Sequence, residues 1–221
     1  MKSKQFIVIG LGRFGQSVAK TLFDMGYDVL AVDDDETIVQ EIADSVTHAV
    51  AMDATDEYAL RTLGIRNFDI AVVSIGTNIQ SSIMVTLNLK EAGVKKVVAK
   101  ATNEMHAKLL SKIGADRVIL PEMDMGIRVA HNLVSANILD FIELSPDYSI
   151  IEVTAPSHWM NQDIKTLDVR AKYGINIMAI KSEDNINISP SATDQIKEGD
   201  VLVIIGSIKD LSKIESLISN D

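Results

Sequence analysis

Three glycines, Gly10, Gly12 and Gly15, close the apolar run FIVIGLGRFG (residues 6–15) in the spacing GxGxxG. A loop of that kind brings backbone close to a pyrophosphate at a helix N-terminus, where amide groups lack intrahelical acceptors. Glycines also recur in tight turns for backbone reasons alone. Here the spacing follows a strand pattern and opens a helical one, the context that gives it meaning. Arg13 and Phe14 sit inside the loop. A guanidinium stays charged near neutral pH and grips phosphate oxygens through parallel hydrogen bonds. The two phosphates of NAD are commonly held by backbone N–H groups, so an added arginine suits a more anionic ligand, the polyphosphate of ATP or ADP. The alternative is a surface arginine at a helix start, although a cation there opposes the helix dipole.

Other polar residues fall where the same ligand would reach. DVLAVD ends at Asp33, about twenty residues past the glycines, where a carboxylate accepts ribose hydroxyls and repels a 2′-phosphate. Asp33 also belongs to the acidic run DDDE, in which Asp34 or Asp35 could cap the next helix, and Asp34 is itself a candidate ligand contact. Asp53, Ala54 and Thr55 follow the third strand and could line an adenine pocket; Ser74, Ile75 and Gly76 follow the fourth. Lys100 ends the fifth strand with a cation able to reach phosphate, and Glu122 follows the sixth. A carboxylate beside polyphosphate is repulsive unless a cation intervenes, which makes Glu122 a candidate divalent-metal ligand. It could equally be an acid favouring the first turn of a helix.

Catalytic machinery is harder to find. His48, His106, His131 and His158 have no metal-ligand spacing and read as surface or packing residues. A dehydrogenase needs a proton donor or acceptor beside the nicotinamide, and no Tyr-x-x-x-Lys or comparable pair presents itself. With no cysteine there is no disulfide, thiolate nucleophile or zinc-thiolate site. The net charge of −10 argues against nucleic-acid polymers as partners. No run approaches the roughly 20 apolar residues that cross a bilayer, and MKSKQFIVIG leads directly into a strand without a signal-peptide cleavage region. These features fit a soluble, cytoplasmic, non-enzymatic binding protein.

The elements that must position these residues follow from hydrophobic pattern. QFIVIG, DVLAVD, THAVAM, FDIAVVS, KVVAK and RVILP read as strands, with helices over residues 13–25, 79–92 and 104–113. Strands apolar throughout are buried on both faces, which predicts an α/β doubly wound, Rossmann-like parallel sheet. Residues 1–140 are assigned to this domain. Within them, Glu122 to Ile142 reads as a helix apolar on several sides through Ile127, Val129, Ala130, Leu133, Val134, Ile138 and Leu139, packed between domains or against another subunit. Residues 141–221 read as a small α+β lobe: strands at IIEVTA, INIMAIKS, INIS and DVLVIIGS, one short helix over TLDVRAKYG, and a last helix.

GLGRFG, the acid at Asp33, DATD, NFDIAVVSIG and KIGADRVILPE together resemble the family of domains that regulate potassium conductance, found in potassium channels and in the cytosolic subunits of Ktr-type and Trk-type transporters. The resemblance extends through DVRAKYGINIMAI and LVIIGS, and the length is that of a stand-alone Ktr regulatory subunit of the A or C type. It implies binding of ATP or ADP, dimers assembled into an octameric ring, and a cytoplasmic position beneath an integral membrane K⁺-translocating subunit. It assigns phosphate contact to Arg13, ribose contact to Asp33, and to Glu122 the ligation of Mg²⁺ or Ca²⁺ between facing ATP molecules. It further implies an inhibitory cyclic di-AMP pocket at Ile164, Arg170, Ala171, Ile175, Asn176 and Pro190, a ligand that residue spacing does not suggest. The competing classes are a small NAD(H)-dependent oxidoreductase or redox sensor, and a scaffold whose nucleotide is purely structural.

Overall fold

Six β-branched runs in the first half of the chain become six strands: β1 (Gln5–Ile9), β2 (Asp28–Asp33), β3 (His48–Ala51), β4 (Ile70–Val73), β5 (Val97–Lys100) and β6 (Arg117–Ile119). They alternate with helices α1 (Arg13–Asp24), α2 (Glu36–Ile42), α3 (Glu57–Thr62), α4 (Ile79–Glu91) and α5 (Glu104–Lys112). The computed structural model describes residues 4–134, 138–183 and 185–219. The sheet order is β3-β2-β1-β4-β5-β6, parallel at every pairing. The strands send alternate residues to two cores, one on each face of the sheet. Phe6, Val8, Val29 and Ala31 pack with Ala19 of α1 and Val39 and Ile42 of α2. Ile7, Ile9, Val73 and Val97 pack with Leu60 of α3, Val85 and Leu89 of α4, and Leu110 of α5. Helices therefore cover both faces, as the continuous apolar runs require. The strand order reverses between β1 and β4, which is where sheets of this topology bind ligands.

Two compact units divide the chain at Glu122/Met123, earlier than the boundary drawn from sequence at 140/141. The reason lies in the stretch read as one long helix. It is a helix, α6 (Pro121–Val134), followed by a strand, β7 (Ile138–Ser145). ILDFIELS alternates apolar and polar residues, and that period-2 pattern pairs it with β8 (Tyr148–Thr154). On α6 of the isolated chain, Met123, Met125, Ile127, Val129, Ala130 and Leu133 are exposed. The side chains of Val134, Ile138 and Leu139 lie outside the described set.

The second unit continues with α7 (Ile164–Leu167), α8 (Val169–Tyr173), β9 (Asn176–Ser182), β10 (Asn185–Asn187), β11 (Val201–Ser207) and α9 (Ile208–Ser219). Its five strands form an antiparallel sheet in the order β10-β9-β11-β8-β7. β8 and β11 bury every second residue, so Ile151, Val153, Leu202 and Ile204 meet Leu211, Ile214 and Ile218 of α9 on one face. TLDVRAKYG is two short helices rather than one, because Asp168 adopts the left-handed region at φ 46° and breaks the run. Trp159, the sole tryptophan, is buried in this core beside Tyr173. Its emission therefore reports on this unit. Ile204→Ala removes a wholly buried side chain and should cost about 2–5 kcal/mol. A lowered denaturant midpoint of the Trp159 fluorescence transition would verify the core assignment.

Candidate functional site

The glycine loop between β1 and α1 is shaped by three different demands. Gly10 has φ +90°, a conformation L side chains rarely adopt, and an added Cβ would lie 3.0 Å from the Ile75 backbone nitrogen. At Gly15 a Cβ would overlap the Gly10 carbonyl oxygen and the Ser74 hydroxyl oxygen. Ser74 fastens the arrangement by donating its hydroxyl to the Gly10 carbonyl, while its N–H donates to the Ile9 carbonyl at 2.8 Å. Gly12 differs: nothing lies within 4 Å of an added Cβ, and its φ of −62° suits any residue. Its side-chain space opens directly at the start of α1.

That helix start is electrostatically uncompensated. Gly12 is the N-cap, no side chain caps the first turn, and no acidic residue lies in it. The first amides of α1 therefore keep their donors and the positive end of the dipole. Arg13 adds a full charge there; it is exposed and has no ion-pair partner among the described residues. Helix termini with this character attract anions, so the arginine strengthens a site that the backbone already forms.

The acids around the loop divide their tasks. Asp33 accepts the Leu11 N–H through Oδ2 and the Asp35 N–H at 3.1 Å through Oδ1, holding the glycine loop to the end of β2. Each carboxylate oxygen still has a lone pair for a hydroxyl donor. The cap of α2 is Asp35, which accepts the Thr37 and Ile38 N–H groups, so neither Asp33 nor Asp34 does that work. Asp34 is exposed, and a shared hydrogen bond with Asp33 raises its carboxyl above the ordinary value, with burial and the Asp33 charge adding to it. Asp53 binds the Thr55 hydroxyl at 2.7 Å and its N–H at 2.8 Å, and these bonds lower its carboxyl. Ala54 turns its methyl into the core and cannot line a pocket with it.

Lys100 and Glu122, assigned separate tasks on sequence, meet here. Lys100 Nζ donates to Glu122 Oε1 at 2.5 Å, with side chains 12% and 69% exposed respectively. This bond lowers the Glu122 carboxyl. The same ammonium lies 5.8 Å from the centre of the Phe14 ring, within cation–π range. A Cβ at Gly76 would stand 3.5 Å from it. Phe14, Gly76, Lys100 and Glu122 thus form one cluster beside the loop. Among the described residues no group of three His, Cys, Asp or Glu could hold a metal ion. Glu122 alone is not a metal site; Mg²⁺ commonly takes one or two carboxylates and completes its shell with phosphate oxygens and water.

Two contributors escape the sequence reading. Asn88, buried on α4, donates to the Thr55 carbonyl at 3.2 Å and steadies the loop after β3. A polar residue beside Val85 and Leu89 on an apolar helix face was its available signal. The second is the Phe14–Lys100 contact, which joins segments far apart in sequence.

In the second unit, Arg170 Nε donates to Asn176 Oδ1 at 2.7 Å, and Ala171 is exposed nearby on α8. Ile164 is tied to the segment carrying Pro190, since its N–H reaches the Asp194 carbonyl and the Lys165 N–H reaches that of Ala192. Ile175 departs from the expected pocket lining: its side chain is wholly buried in the core and could support a ligand only from beneath.

Residues 6–121 match the TrkA-N domain and residues 148–219 the TrkA-C domain. Ktr system potassium uptake protein C of Bacillus subtilis is 51% identical over 215 residues, covering 97% of each chain. Protein A of the same system and organism is 50% identical over 216 residues, covering 98% of this chain and 97% of the relative. In fold the chain is similar to the GsuK RCK domain, with a TM-score of 0.69, 17% identity, and coverage of 98% of this chain and 48% of that one. The GsuK channel bound to NAD gives a TM-score of 0.68 at 15% identity, covering 98% of this chain and 40% of that one.

The glycines differ in what a side chain would cost the fold. Gly12→Ala should change thermal stability by less than about 1 kcal/mol. Gly15→Ala should cost at least about 2–3 kcal/mol, because the displaced atoms are backbone. Comparing the melting curves of the two variants with that of the wild type checks the difference.

Proposed function

The chain belongs to the family in which a TrkA-N domain is joined to a TrkA-C domain, that of the Ktr potassium uptake proteins, which are not enzymes. On that premise we propose that it is a regulatory subunit gating K⁺ movement through an integral membrane partner, according to whether ATP or ADP occupies the crevice between β1 and β4. The observation that carries this reading is Arg13: an exposed guanidinium with no ion-pair partner among the described residues, on an uncapped helix N-terminus beside the open space at Gly12. A switch must bind its two nucleotides unequally, since equal affinity shifts no equilibrium. Losing one charge-assisted hydrogen bond of about 1.5–3 kcal/mol changes affinity roughly 10- to 100-fold.

Under this reading Asp33 takes ribose hydroxyls, the segment Asp53–Thr55 borders the adenine, and the rim of Ser74, Ile75, Gly76 and Lys100 faces the phosphates. Mg²⁺ or Ca²⁺ between the ATP molecules of two subunits would receive Glu122 as its protein ligand. A homo-oligomer, dimers closing into an octameric ring, is supported by the exposed apolar residues of α6 and by Ile79, Met84, Met105 and Leu109 on α4 and α5. A groove of about 350 Å³ lined by Ile127, Phe141, Ile142 and Leu144 adds to it. No helix among the described residues is long and apolar enough to cross a membrane, so the ion path is assigned to another chain, with this one at the inner membrane face. Cyclic di-AMP is assigned to the second unit, where the Arg170–Asn176 pair offers a phosphate partner.

The second reading is NAD(H) binding, favoured by the GxGxxG loop with Asp33 and by the NAD found on the GsuK channel. Calorimetric titration of nucleotide-free protein with ATP, ADP and NADH, with and without Mg²⁺, separates the two. ATP should bind more tightly than NADH and tighten further with Mg²⁺, and Arg13→Ala should weaken ATP more than ADP. Equal losses for both nucleotides would remove terminal-phosphate sensing, and preference for NADH would support a redox role. Independently, Arg170→Ala should weaken cyclic di-AMP about tenfold or more without altering ATP affinity, read by the same titrations.

A further inference from the structure

We propose that Lys100 is an exchangeable partner: it holds the Glu122 carboxylate when no nucleotide is bound and passes to the terminal phosphate of ATP when one enters, releasing that carboxylate. This rests on the nucleotide reading above and deepens it. The Lys100 ammonium is the meeting point of three segments. Glu122 Oε1 lies 2.5 Å away, the Phe14 ring of the glycine loop is 5.8 Å away, and a Cβ at Gly76 would be 3.5 Å away. An anion seated at the N-terminus of α1 therefore approaches an ammonium that already has an anionic partner.

The two partners are unequal. Glu122 is 69% exposed, so water replaces its lost bond at little cost, whereas the ammonium is only 12% exposed and needs an anion or strong acceptor. A lysine ammonium is a compact charge with three donors on a flexible stem, able to swing between acceptors in a way a rigid guanidinium fork is not. Holding both anions on one side of the same ammonium would bring phosphate and carboxylate into mutual repulsion. Exchange removes that repulsion and leaves a free carboxylate beside phosphate oxygens, the donor set a divalent cation requires. The order of events then follows: nucleotide first, metal second, with Lys100 as a positioning residue that keeps Glu122 occupied until phosphate arrives.

The test uses the full chain, freed of nucleotide, with ATP titrated once in chelator and once in Mg²⁺. Glu122→Gln should bind ATP about two- to fivefold more tightly than the wild type in chelator, because Lys100 no longer has to leave a charged partner. In Mg²⁺ the same variant should bind more weakly than the wild type. A structural role for Glu122 would move both arms in one direction, and that result would overturn exchange. Removal of a negative charge could by itself favour ATP, so the pair is also measured in a Lys100→Met background. There the gain from Glu122→Gln should vanish; a gain that persists shows general electrostatics and overturns the proposal. If the wild type binds neither ATP nor ADP, the nucleotide reading fails and takes this inference with it. If Arg13→Ala weakens ATP while Glu122→Gln leaves affinity in chelator unchanged, only the exchange fails.

Discussion

The close approach of Gly15 to the Gly10 carbonyl and the Ser74 hydroxyl is the contact on which the rest of the first unit depends. It lets α1 begin directly above the point where strand order reverses, so the helix dipole and its free amides face the crevice between β1 and β4. Asp33 then ties the loop to β2 through the Leu11 N–H, and Ser74 ties it to β4. Three strands thus converge on one loop before any ligand is considered. A loop fixed from both sides presents its amides without further ordering, which is where a binding site gains affinity.

Charge around this loop is sorted by position rather than by sum. The chain carries a net −10, yet the helix start has only Arg13, and the acids Asp33, Asp34 and Asp53 gather at the ends of β2 and β3, where a ribose or an adenine edge would lie. Asp33 and Asp53 are occupied with backbone or hydroxyl donors, and Asp34 shares a hydrogen bond with Asp33, so these acids shape loops. The second cation, Lys100, is neutralised by Glu122. One cation is therefore unpaired among the described residues and the other is held by a carboxylate.

Much of this was legible in the sequence because the relevant signals are local. Strands apolar throughout and the GxGxxG context give all six strands of the parallel sheet, the helices α1, α4 and α5, and the placement of Arg13 at a helix start. What failed was also local, but ambiguous. Residues 122–142 carry enough apolar side chains to satisfy helical spacing, and only the period-2 alternation of ILDFIELS separates β7 from α6. Asp168 in the left-handed region breaks TLDVRAKYG without a glycine to announce it. The partners in contacts between distant segments had no local signal: Lys100 with Glu122, Phe14 with Lys100, and Asn88 with Thr55 depend on which strand lies beside which.

The exposed face of α6 bears on why a protein of this build should not act alone. A helix with Met123, Met125, Ile127, Val129 and Leu133 exposed has more apolar surface than its own described neighbours cover. Such faces persist in folded proteins because something covers them, and in a homo-oligomer the cover is the same chain. Glu122 stands at the head of this helix, paired with Lys100 at the end of β5. Whatever draws Glu122 toward or away from Lys100 therefore acts on the first turn of a helix whose apolar face needs a partner. The paired carboxylate and the exposed apolar face belong to one helix.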